Sequence, residues 1–110
     1  MIERLGLRLL PALSALAALL FLATEAAAQS ILGRWQAVQG PMQMTFESSG
    51  RATLSSTGPA RSGRWRLDGN LLTILLDDGR GIRVTVRMPE RNRLVLIDPD
   101  NRFSEYRRVD

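Results

Sequence analysis

Beyond residue 30 the chain is cut, about every ten residues, into short apolar runs separated by turn-forming residues, with no helical period sustained over ten residues. That pattern leaves little besides antiparallel strands. The runs lie at residues 31–38, 42–47, 51–56, 63–67, 71–76, 81–88, 93–97 and 102–108, so eight strands are expected. Strict alternation puts Met42, Met44 and Phe46 on one face of the second run. In the sixth, Ile82, Val84, Val86 and Met88 face inward, opposite Arg83, Thr85 and Arg87. Residues 71–76 are apolar on both faces, the pattern of a strand covered on both sides. Asp68-Gly69-Asn70 signals a tight hairpin, because such turns need positive φ. Residues 57–62 form the longest irregular loop. Short links between consecutive strands favour an all-β, antiparallel up-and-down meander over a two-sheet sandwich. Closing the meander into a barrel removes the two edges that would otherwise invite aggregation.

Residues 1–28 read as a signal peptide. Arg4 and Arg8 begin it, residues 9–23 (LLPALSALAALLFLA) form its apolar stretch, and Ala26-x-Ala28 supplies a small-residue cleavage pattern. Fifteen apolar residues are short for a membrane span, which needs about 20. Cleavage after Ala28 is therefore expected, leaving residues 29–110 as one domain, secreted or periplasmic, with no stable membrane anchor. That domain contains 29 apolar residues out of 82, thirteen arginines, nine carboxylate side chains and no lysine. There is no cysteine and no histidine in the chain, so disulfides, thiolate or imidazole metal sites and Ser-His-Asp catalysis are excluded. Stability has to come from burial and strand closure alone.

Leu32-Gly33-Arg34-Trp35 contains a G-x-W motif on the first strand, and Tyr106-Arg107-Arg108 supplies an aromatic-x-Arg on the last. Together they resemble the calycin arrangement of lipocalins and fatty-acid-binding proteins. Residues 62–73 (SGRWRLDGNLLT) resemble small bacterial secreted lipocalin-like domains. The resemblance implies a lipocalin-like barrel in which Trp35 closes one end and a late arginine packs across it. Arg108, which shares the parity of Tyr106, matches that arginine best; Arg107 takes the role if a bulge shifts the parity. Members of those families have longer strands and a lid. Strands of five to eight residues, as here, make a wall only about 16–26 Å tall.

About three inward residues per strand give an interior of about 24 side chains, close to the apolar count, so any cavity should be shallow. Trp35, Phe46, Trp65 and Tyr106 are the candidate ligand-binding residues, near the barrel mouth, with Trp35 and Arg108 the barrel-closing pair. The bland reading of the same aromatics is core packing. Most carboxylates sit in turns, where Asp stabilises the backbone, and Glu105 is expected to face outward beside arginines. Carboxylates and Tyr106 are all that remain as general bases, so no enzyme, cofactor or metal is expected. The first function expected is binding of a small apolar ligand by an exported monomer. The alternative is an envelope interaction or inhibitor protein acting through loops, residues 57–62 above all, and an arginine-rich surface toward an anionic partner. Outward aromatics beside the arginines are lacking, so nucleic acid is not expected. A cavity above about 300 Å³ would favour the ligand; a packed interior with a continuous arginine face would favour the partner.

Overall fold

Short links leave each strand no neighbour within reach but the next one along the chain, and that local constraint builds the whole architecture. A computed structural model describes residues 31–109; the expected signal peptide, residues 1–28, and its cleavage site lie outside the described residues. The strands are β1 (Gly33–Ala37), β2 (Gln43–Phe46), β3 (Arg51–Ser55), β4 (Arg61–Asp68), β5 (Leu71–Leu76), β6 (Gly81–Glu90), β7 (Arg93–Ile97) and β8 (Phe103–Val109). Each pairs antiparallel with the next, and β8 returns to pair with β1 through Trp35↔Arg108 and Ala37↔Tyr106, closing the barrel. The barrel is complete between Gly33 and Val109, every strand having two partners.

Up-and-down order sorts the links to two ends. Those after β1, β3, β5 and β7 meet at the upper end; those after β2, β4 and β6 meet at the lower end, with the segment preceding β1. The interior is filled by one side chain in two along each strand, the largest fully buried ones being Trp35, Phe46, Ile31, Leu72, Ile74 and Leu94. Among the described residues no polar side chain is buried and no buried side-chain polar atom lacks a partner. Apart from the Trp35 indole N–H and the Tyr106 phenol, the core is therefore an apolar fill, in a domain that has no disulfide to lean on.

Three local readings are corrected by the register. Arg61 and Ser62, expected in the long loop, open β4, because they pair with Leu54 and Thr53 of β3; the link shortens to residues 56–60. Residues 89 and 90, expected in a link, continue β6 to a Glu90↔Arg93 pair, with the register shifting between Arg87 and Glu90. Pro89 lies in that shift, where its missing N–H costs no ladder bond. Finally, β5 is covered on one side only: Leu72, Ile74 and Leu76 point inward, while Leu71 and Leu75 are 40% and 56% exposed. A single-layer barrel has one interior, and nothing described packs on its outside.

Gly63 marks a close approach that no local pattern announced. A Cβ there would lie 2.2 Å from the Leu75 carbonyl oxygen and 2.7 Å from the Leu76 Cα, both backbone atoms of β5. Only glycine lets β4 press so closely on its neighbour.

Candidate functional site

The lower end is plugged. Trp35, fully buried, donates its indole N–H to the Ile31 carbonyl at 2.9 Å, so the segment before β1 folds beneath the ring. The Arg108 guanidinium lies 4.3 Å from the Trp35 ring centroid, a cation–π stack. The same guanidinium donates to the Leu32 carbonyl and, at 3.2 Å, to the Arg91 carbonyl, tying the chain's entry to the β6–β7 link. Arg107, the other arginine weighed for this role, points outward and is exposed. The glycine of G-x-W is explained here too. Gly33 has φ +118°, and a Cβ at that position would lie 2.9 Å from Arg108 Nη1. Glycine both permits the backbone turn and leaves the arginine room to cross.

Two more aromatic residues thicken this plug. Phe46 and Trp65 meet edge to face, with centroids 5.7 Å apart and planes at 71°. The Trp65 indole donates to the Glu47 carbonyl at 2.9 Å, reaching down to the β2–β3 link. Strand parity put Trp35, Phe46 and Trp65 inside the barrel; register gathers all three at its lower end.

The upper end is built differently. Met44, Ile74, Leu96 and Tyr106 floor a recess of about 180 Å³, and Met42, Leu54, Ile82 and Val84 wall it. The four wall residues are only partly buried, although they pack against the core. Asp98, Arg102 and Ser104 stand on the rim. The Asp98 carboxylate is already engaged, accepting from the backbone N–H of Asp100 and of Arg102, each at 2.9 Å. It shapes the β7–β8 link, where Asn101 takes φ +61°. Arg102 forms no ion pair with a described residue. Two larger recesses adjoin the mouth, about 530 Å³ beneath the 56–60 link and about 480 Å³ beside Val38 and Phe103. Met42 lines all three.

Of the four aromatic residues expected near a ligand, the structure brings Tyr106 to this mouth, while Trp35, Phe46 and Trp65 lie at the opposite end. The aliphatic wall of Met42, Leu54, Ile82 and Val84 carries the mouth instead. Its signal in the sequence was the alternation itself, which marked these residues as inward without saying at which height. Burial pushes the Tyr106 phenol above its usual value of 10.0, with a hydrogen bond to Ser104 pulling the other way. At neutral pH it is an uncharged, polar point in an otherwise apolar floor. Glu105 faces outward and pairs with Arg93. No protein-family model and no curated protein matches the chain.

Proposed function

We propose that this chain is an exported, non-enzymatic, lipocalin-like barrel whose upper end binds a small apolar molecule. The observation that carries the reading is the difference between the two ends: one sealed by Trp35 and Arg108, the other opening on a partly exposed aliphatic wall. The Trp35–Arg108 stack is also what supports the lipocalin-like, calycin-type affiliation. The recess of about 180 Å³ falls short of the roughly 300 Å³ expected of a drug-sized pocket, but an apolar cavity of about 150 Å³ accepts a benzene-sized molecule, so it suits a small ring or a short acyl chain rather than a long lipid. A carboxylate or phosphate on the same molecule would meet Arg102 at the rim. The second reading, a protein partner engaged through loops, draws support from the wholly exposed 56–60 link.

The test is native mass spectrometry of the protein purified from its own cells, followed by methyl NMR titration with octanoate. A retained small molecule is expected, together with octanoate-dependent shifts at Met42, Leu54 and Ile82. Met42→Trp should fill the shared wall and abolish both. Repeatedly bare protein with methyl signals unmoved by octanoate would remove the ligand reading.

A further inference from the structure

The outward face of β5 breaks two rules at once. A strand facing water should be polar, yet Leu71 and Leu75 stand 40% and 56% exposed on either side of Thr73. Thr73 lies between Arg66 on β4 and Arg83 on β6. Like charges should not stand directly opposite across a sheet, yet Arg64, opposite Leu75, is itself opposite Arg51 on β3. Local acids answer only part of this charge. Asp68 pairs with Arg66 at 3.0 Å and Asp77 with Arg51 at 3.6 Å, whereas Arg64 and Arg83 form no ion pair with a described residue.

Curvature decides what such a face fits. In an eight-stranded barrel each neighbouring strand turns away by about 45°, so β5 is a crest and β4 and β6 are its shoulders. The crest carries two leucines about 14 Å apart along the strand. The shoulders carry guanidinium groups set back from them. A bilayer leaflet presents matching layers in matching order of depth, with hydrocarbon lying beneath anionic phosphates. An acidic protein groove would have to match the shape of a crest one strand wide, whereas a fluid leaflet admits the leucines without a preformed cleft.

We propose that the β5 crest docks on an anionic lipid surface, with Leu71 and Leu75 entering the acyl boundary and Arg64, Arg66 and Arg83 meeting the headgroups. This surface lies on the side of the barrel and reaches the rim at its upper end, where Thr73, Leu75 and Arg83 share a recess with Ile82, Val84 and Asp98; it does not depend on the mouth binding a ligand.

The test is co-sedimentation with vesicles of phosphatidylcholine alone or with 30% phosphatidylglycerol added. The protein used begins at Gln29, since the barrel closes between Gly33 and Val109 and the apolar run of residues 9–23 would bind membranes by itself. Binding is expected only with phosphatidylglycerol, and to weaken steeply with salt. Each arginine lost should weaken it about five-fold, so Arg64→Gln/Arg83→Gln should lose about 25-fold. Leu71→Ser/Leu75→Ser should lose at least about ten-fold. Arg34→Gln/Arg107→Gln, on β1 and β8 across the barrel, removes the same charge and should stay within about two-fold of the parent protein. All six substituted residues are exposed, and unchanged thermal melts verify folding. An absence of binding to the anionic vesicles overturns the proposal. So does an equal loss in the Arg34/Arg107 protein, which means charge without a site. Binding that depends on Arg64 and Arg83 but ignores the leucines also overturns it, in favour of an acidic protein or a soluble polyanion.

Discussion

The two ends of this barrel are made from the same eight strands and the same alternation, yet one is shut and the other is open. At the lower end the inward positions carry Trp35, Phe46 and Trp65, and Arg108 laces the rim to the Leu32 and Arg91 carbonyls. At the upper end the equivalent layer carries Met42, Leu54, Ile82 and Val84, whose aliphatic side chains tie no link down by a hydrogen bond. Strand number sets the width of a small barrel; side-chain size and a single bridging cation then decide whether an end closes. If the open end binds a ligand as proposed, stability and binding are separated along one axis, and the plug can be tight because it has nothing to admit.

That separation is broken most severely at Trp35. Truncating a fully buried tryptophan costs about 3–5 kcal/mol, and each kcal/mol lowers the melting temperature of a domain this size by about 4–8 °C. Trp35→Ala should therefore melt at least about 12 °C below the parent protein by circular dichroism. Leu54→Ala, at the open end, should cost about 1 kcal/mol, because its side chain is already partly exposed and leaves no sealed void. Equal melting temperatures for the two variants would mean that the ends do not differ in their contribution to stability.

Arg108 comes next. It stacks on Trp35 and satisfies carbonyl oxygens from two chain segments, so Arg108→Ala should cost about 1–2 kcal/mol. Arg108→Lys keeps the charge but not the flat, forked group, and should recover less than half of the loss. If both variants melt with the parent protein, the lower end is closed by Trp35 alone.

Much of this arrangement was legible in the residues, and what was not has a common cause. Alternation reveals which side chains face inward, since a barrel strand has one dry face and one wet one. It identified Met42, Phe46, Ile82 and Val84 as interior; the arginine over Trp35 was implied by the calycin resemblance, and parity shared with Tyr106 only chose Arg108 over Arg107. Height along the barrel is a different property. It depends on the stagger between strands, which turn lengths and bulges set cumulatively, so parity could not separate Tyr106 at the mouth from Phe46 and Trp65 at the plug. The exposed leucines of β5 failed for another reason. An apolar run reads as covered on both sides only if a second layer exists to cover it, and the β5 run carries no information about that layer. Gly63 was invisible because a close approach of two backbones leaves no mark other than the glycine itself.

The smallest effect at neutral pH, and the most selective, belongs to Tyr106 in the floor of the open end. Its phenol is held above the ordinary value of 10.0 by burial, so the folded protein keeps the proton where the unfolded chain gives it up. Folding stability from this group is fully present below pH 10 and is lost as pH rises from there through the raised folded value. The residues are unusually well suited to isolating this effect. The chain has no lysine, no cysteine, no histidine and a single tyrosine. Melting temperatures measured from pH 8 to pH 12 should be flat and then fall above pH 10 in the parent protein, while Tyr106→Phe should stay flat across the whole range. Tyrosinate absorbance of the folded protein should rise later than that of the urea-unfolded chain. A small apolar molecule seated in the mouth would bury the phenol further and shift that rise later still, whereas a variant of the plug such as Arg108→Ala should leave the response to ligand intact. Parallel alkaline curves for parent and Tyr106→Phe would show that the floor of the mouth is wet, and that the open end reaches deeper into the barrel than its aliphatic wall implies.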